Sequence, residues 1–258
     1  MYVPPGFPGI ALALFGLLIG SFLNVCIYRL PLRQSIVWPA SRCTGCGHQL
    51  AWFDNIPVLS YLALRGRCRS CLAPISLRYP IIEALTGAVF VWHLSVFGLT
   101  PLLAVRLAFA CALVVLSFID LDHQLLLDVI TLPGIAIGFL CSLVLPPGPL
   151  QSLAGILLGG GLLWAIAEAW FRLRKVEAMG FGDVKMLAMI GAFLGAKLVI
   201  VTFVLASFIG GLVGVALIAT RRADRATRVP FGTMLAFAAL VASLYGEPLL
   251  AWYLATLG

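Results

Sequence analysis

The chain has 258 residues, of which 62% are hydrophobic and 10% charged, with a formal net charge of +7. A soluble domain carries about 25% charged residues, so this composition excludes a water-soluble globule and leaves apolar surface that must face lipid. The basic residues flank apolar stretches, a pattern of membrane topology and headgroup contact that argues against nucleic acid as a partner.

In chain order, eight apolar segments are predicted to span the membrane: 8–28, 79–98, 101–119, 129–146, 150–171, 183–195, 197–220 and 230–255. A crossing helix needs about 20 residues. The sixth segment is shorter and rich in Gly and Ala, as suits a helix buried among others. The first 28 residues contain no Lys or Arg, so the first segment is expected to persist as an anchor, not a cleaved signal peptide. Basic residues gather after the first segment (Arg29, Arg33, Arg42, Arg65, Arg67, Arg69, Arg78), after the fifth (Arg172, Arg174, Lys175) and after the seventh (Arg221, Arg222, Arg225, Arg228). With eight spans these connections share one side, which the positive-inside rule makes cytoplasmic. Both termini are then outside, and Asp120 and Asp183 lie at the cytoplasmic ends of their spans. Three parts are expected: a first transmembrane helix at 1–29, a cytoplasmic zinc-binding domain at 30–78 and a membrane-embedded core at 79–258.

The segment 30–78 is too small for a large core and needs a staple. Cys43-Thr44-Gly45-Cys46 and Cys68-Arg69-Ser70-Cys71, with 21 residues between them, have the spacing of a four-cysteine zinc site. Two disulfides are the competing reading, disfavoured in a reducing cytoplasm. His48 is a spare candidate ligand, but four cysteines already saturate the ion. Arg65, Arg67 and Arg69 are expected to offset thiolate charge. Cys26, Cys111 and Cys141 read as small buried side chains.

Carboxylates at a membrane boundary are costly and usually serve chemistry or transport. Asp120 closes the apolar run 113–119, and Asp183 follows Gly180-Phe181-Gly182. Two adjacent carboxyls cannot both ionise cheaply, so one keeps a proton while the other acts as base. Such a pair can activate water and protonate a leaving amine. No Gly-x-Ser-x-Gly elbow or His-Glu-x-x-His helix competes. Gly180 and Gly182 would let backbone approach an extended substrate, and Lys185 is a surface anchor or a tuning charge. Asp183 near a helix N-terminus is expected to carry the charge, and Asp120 near a C-terminus the proton. The plain alternatives are an interfacial Asp120 and an N-capping Asp183. Asp128 reads as the N-cap of the fourth span. Asp122, Asp128 and Glu177 are candidate acidic contacts for a substrate. Glu83, Arg106 and Glu168 are expected in buried pairs or a polar cavity, and Ser21 and Asn24 in inter-helix hydrogen bonds. A proton-coupled transporter and a non-catalytic zinc scaffold are the rival functions.

The motifs Gly20-Ser21-Phe22-Leu23-Asn24-Val25, Tyr28-Arg29-Leu30-Pro31, both cysteine knuckles and Asp54-Asn55-Ile56-Pro57 come first along the chain. Gly66-Arg67-Cys68, the run Pro74-Ile75-Ser76-Leu77-Arg78-Tyr79-Pro80, Glu83-Ala84, Ile119-Asp120-Leu121-Asp122 and Gly180-Phe181-Gly182-Asp183-Val184-Lys185 complete the set. Together they resemble the bacterial type IV prepilin peptidase family, over nearly the whole chain. The resemblance implies an all-α polytopic membrane protein of about eight helices, a Gly-x-Gly-Asp type of intramembrane aspartic protease with Asp120 and Asp183 as its pair. It implies substrates that are type IV prepilins or type II secretion pseudopilins, cut after a glycine at the cytoplasmic face of the inner membrane. It also implies N-methylation of the new terminus from S-adenosylmethionine, with the family's Gly-Arg-Cys step falling at Gly66. A peptidase without the methyltransferase activity is the nearer alternative. The family often has proline before the residue that corresponds to Asp128, where this chain has Leu127.

Overall fold

The computed structural model describes residues 6–175, 180–220 and 230–257. Glu177 and the basic cluster Arg221, Arg222, Arg225 and Arg228 lie outside the described residues. The described residues form helices with no strand. These are α1 (Phe7–Arg29), α2 (Leu59–Ala63), α3 (Arg78–Phe97), α4 (Pro101–His123), α5 (Asp128–Ser142), α6 (Pro149–Arg174), α7 (Phe181–Ala219) and α8 (Phe231–Leu257), with a 3₁₀ turn at Trp52–Asn55. Six of the helices are long and apolar enough to cross a membrane, and α5 is a shorter apolar helix. This fits a multi-pass membrane protein. Side chains such as Ile10, Leu14 and Leu18 on α1, or Val204, Phe208 and Leu212 on α7, are exposed, as lipid-facing positions should be.

The chain divides into two compact units, Met1–Leu103 and Ala104–Gly258. In the first, α1 packs on α3. Gly16 and Gly20, four apart on α1, rest against the backbone of Gly87 and Glu83 on α3, where any Cβ would collide. Lipid tails are as apolar as Leu, so association of these helices depends on close van der Waals contact, which small residues permit. Asn24 adds a hydrogen bond from Nδ2 to the carbonyl of Tyr79, 3.1 Å away.

The second unit repeats this device twice around α7. Gly155 and Gly159 of α6 abut the backbone of Gly191 and Leu187, and Gly134 and Gly138 of α5 abut Met189, Ala192 and Phe193. Helix α4 meets α7 through larger side chains, with the Phe109 ring stacked on Phe193 at 4.6 Å. Leu113, Leu116, Leu187, Met189, Leu235 and Ala239 complete this core. Replacing Gly191 with Ala is therefore expected to destabilise the protein by about 1–3 kcal/mol, the usual cost of overpacking. A Cβ at Gly161, also in the interior of α6, meets nothing, and Gly161→Ala is expected to leave the protein as stable as the parent or up to about 1 kcal/mol more so. Unfolding of the two variants in detergent distinguishes them.

The sixth and seventh predicted segments fall within α7, whose backbone breaks at Gly195 with φ 81° and ψ 176°. That positive φ requires glycine. Carbonyls at a helix end lose their intrahelical partners, and in lipid each unsatisfied group costs several kcal/mol. Neighbouring helices supply the donors here. Ser152 Oγ donates to the Ala192 carbonyl at 2.8 Å, and Arg106 Nη1 donates to that of Phe193 at 3.0 Å. Arg106 thus uses its buried guanidinium to serve a main-chain carbonyl at the break in α7. Glu168 pairs with Arg172 at an exposed position.

Candidate active site

In the first unit, each cysteine knuckle is a tight turn held by its own backbone. The N–H of Cys43 bonds the His48 carbonyl and the N–H of Gly47 returns to Cys43, while Cys68, Ala73 and Leu72 repeat the pattern 25 positions on. The turn aims two thiols from each knuckle at one point. All four Sγ atoms of Cys43, Cys46, Cys68 and Cys71 lie within 4.8 Å of one another. A tetrahedron with Zn–S arms of about 2.3 Å has edges of about 3.8 Å, and the Cys43 and Cys71 sulfurs are 3.8 Å apart. The donor set and spacing fit structural zinc.

The thiols are electrostatically uneven. Backbone N–H groups of Cys46 and Gly45 bring the Cys43 thiol down to about 6. The Ala73 N–H also pulls on Cys71, but hydrogen bonding with Cys46, burial and the Cys68 and Cys43 thiols together push it up to about 11. Four crowded thiols cannot all ionise without a cation. Arg69 does not supply one, because its guanidinium grips Asp54 at 2.6 Å. Cys26 is buried, whereas Cys111 and Cys141 are only half-buried, against expectation.

Beside this centre is a cavity of about 860 Å³, lined among others by Ser21, Asn24, Tyr28, Trp38, Asp54 and Tyr79. Small-molecule sites run from about 300 to 1,000 Å³. Its walls are pinned by Glu83, which accepts the Val58 N–H at 2.8 Å and a hydrogen bond from Ser21. Gly66 has φ 69°, and its Cα faces the Tyr61 ring so closely that a Cβ would strike the hydroxyl. It shapes the chain behind the second knuckle and is not among the lining residues.

In the second unit, Asp120 lies in the last turn of α4 and is 5% exposed. Asp183 is the third residue of α7, after the N-cap Gly180. Leu126 packs on both Gly182, the neighbour of Asp183, and Gly232, which lies beside Asp120 Oδ2. Gly182 is thus a packing residue, and Gly180 is exposed. Lys185 is ion-paired with Asp128 and lies over the Phe181 ring, which ties the start of α7 to the start of α5. Asp128 is consequently not the N-cap of α5. Leu127 holds that position with an extended backbone, and the Asp128 side chain turns to Lys185.

One partner of Asp120 has no counterpart in the sequence reading. The N–H of Thr233 donates to Asp120 Oδ2 at 2.8 Å, its hydroxyl lies 3.2 Å from the same oxygen, and the Gly232 N–H also donates to this carboxyl. The first turn of α8 therefore points its free N–H groups at Asp120. The local signal for this contact is slight: Pro230, then Gly232, at the start of an apolar run.

Residues 14–97 match the family model described as Bacterial Peptidase A24 N-terminal domain, and residues 107–215 match that of the Type IV leader peptidase family. The chain is similar to proteins named prepilin leader peptidase/N-methyltransferase. That of Pseudomonas putida is 39% identical over 94% of this chain and 92% of the relative. That of Myxococcus xanthus is 45% identical over 86% of this chain and 68% of the relative, and that of Aeromonas hydrophila 39% over 93% and 92%. No solved structure matches significantly. With both family models in sequence and relatives at least 39% identical over more than two thirds of their length, the chain belongs to the type IV leader peptidase family.

Proposed function

We propose that the protein removes the leader peptide of type IV prepilins or pseudopilins at the cytoplasmic face of the bacterial inner membrane, and then N-methylates the new amino terminus. The observation that carries this reading is the convergence of Asp120 and Asp183, 63 positions apart, on one side chain: Leu126 touches Gly182, next to Asp183, and Gly232, beside Asp120 Oδ2, within the unit that bears the leader peptidase match. Two carboxyls that share a proton take one from water and return one to the departing amine. Rival transporter and scaffold functions have no comparable support. We read α5 and the two halves of α7 as crossings, which makes eight and leaves both termini outside. We keep 1–29, 30–78 and 79–258 as the functional parts. Lipid surrounds the spans, and the pilin helix reaches the dyad from the membrane.

Methyl transfer belongs, in this reading, to the first unit, which has neither aspartate and has the 860 Å³ cavity. Bound S-adenosylmethionine would supply an electrophilic methyl group. The faces of Tyr28, Trp38 and Tyr79 suit a cationic, purine-bearing ligand. Gly66 acts on this pocket through the shape of the chain behind it. Zinc, held by Cys43, Cys46, Cys68 and Cys71, keeps the knuckles together and takes no part in either step.

Incubation of the purified protein with a prepilin and S-adenosylmethionine tests both activities by mass spectrometry. The expected product has lost its leader after the glycine and gained one methyl group on the new terminus. An intact prepilin refutes the peptidase reading, and a cut but unmethylated one leaves a peptidase alone.

A further inference from the structure

The two aspartates are held very differently. Asp120 Oδ2 accepts the Thr233 N–H and shares the single Thr233 hydroxyl proton with the Ser117 carbonyl, and the Gly232 N–H donates to the same carboxyl. Asp183 has no such clamp among the described residues. A backbone N–H can only donate, so the Oδ2 that faces Thr233 must accept. This accepting role on Oδ2 favours Oδ1 as the seat of any proton on Asp120. The Thr233 hydroxyl is also 3.1 Å from the Ser117 carbonyl, which fixes its side chain between two acceptors one turn apart on α4. Thr233 thus locks the torsion of Asp120 and joins the N-terminus of α8 to the C-terminal end of α4. The partial positive charge of a helix N-terminus favours a neighbouring anion. The α4 C-terminus alone had pointed the other way, towards a protonated Asp120.

We propose that Thr233 is the positioning residue of the dyad, clamping Asp120 Oδ2 so that Oδ1 faces the reacting water while Asp183 stays free to carry the proton. This rests on the reading of Asp120 and Asp183 as the catalytic pair. In the step that follows, the water oxygen bonds to the scissile carbonyl carbon, its proton passes to Asp120 Oδ1, and the Asp183 proton passes to the carbonyl oxygen. As the C–N bond breaks, the proton on Asp120 moves to the leaving nitrogen. The hydroxyl proton of the tetrahedral intermediate returns to Asp183, and the dyad is restored. A fixed base and a mobile acid divide the work, and Thr233 touches neither water nor substrate.

The test compares prepilin cleavage by the full-length protein with that by Thr233→Val and Thr233→Ser. Val keeps the shape and the backbone N–H but removes the hydroxyl. Its kcat is expected to fall about ten- to a hundred-fold, below the loss of about 10²–10³ for a donor aimed at the reacting atoms. KM should stay within about three-fold. Ser restores the hydroxyl, and its kcat should return to within about three-fold of the parent. If Thr233→Val does not fold, Thr233→Ala with the same Ser partner gives the same comparison. Parental kcat in the Val or Ala variant, an effect on KM alone, or a Ser variant as slow as Val overturns the proposal. Asp120→Asn separates the two levels. If it cleaves normally, the dyad reading falls and this proposal with it. If it is inactive while Thr233→Val is at parental rate, only the clamp falls.

Discussion

Replacing either Asp120 or Asp183 with Asn is expected to reduce leader cleavage by about 10³-fold or more while leaving the protein folded. General acid and general base catalysis each contribute about 10²–10⁴, and the two carboxyls act as one unit, so loss of either stops the proton cycle. Asn is nearly isosteric and keeps an oxygen able to accept from the Thr233 N–H that now bonds Asp120. The packing of Leu126 between Gly182 and Gly232 is untouched by either change. Folding is checked by the melting temperature in detergent, and the cut by mass spectrometry of the prepilin. Near-parental cleavage by both variants would remove the dyad from the mechanism. Loss of cleavage with a collapsed melting temperature would make the pair structural.

The spans were legible because hydropathy in lipid is set by local composition. The interruption in α7 was legible as well, since 183–195 read as a separate short segment rich in Gly and Ala, and the break falls at its last residue, Gly195. The four cysteines could be grouped from spacing alone, as each knuckle is a local turn. Contacts between distant positions were not legible. Thr233 and Asp120 are 113 positions apart, and Arg106 and Phe193 are 87 apart. In the sequence, Thr233 is an unremarked Thr in an apolar run. Its importance lies in the N–H groups of its own helix end, which no side-chain pattern records. Asp128 misled for the related reason that a carboxylate at a helix start satisfies the capping rule, while a lysine 57 positions away competes for it. The pairs Gly16/Gly20, Gly134/Gly138 and Gly155/Gly159 are visible as four-residue spacings, but only the fold supplies the backbones they touch.

Loss of zinc should unfold the segment 30–78 and little else. Within that segment only Pro57, Gly66 and Cys68 are buried, so it has almost no apolar core to hold it. A structural zinc site contributes about 10–16 kcal/mol of binding free energy that is also folding free energy. Nothing else in the segment is of that size. The Asp54–Arg69 pair, with Arg69 half exposed, is screened by solvent and adds little. The backbone bonds of each knuckle hold its local turn but do not join the two. The expected stoichiometry is one zinc per chain, lost entirely in Cys43→Ser or Cys68→Ser and kept in Cys26→Ser, where the thiol is buried on α1 outside the cluster. Trypsin should then cut the two ligand variants rapidly at Arg33, Arg42, Arg65 and Arg67, leaving α3 to α8 intact. Because the second unit owes none of its packing to these cysteines, its helices should melt as in the parent. A parental tryptic pattern in metal-free protein would mean that the knuckles hold without an ion.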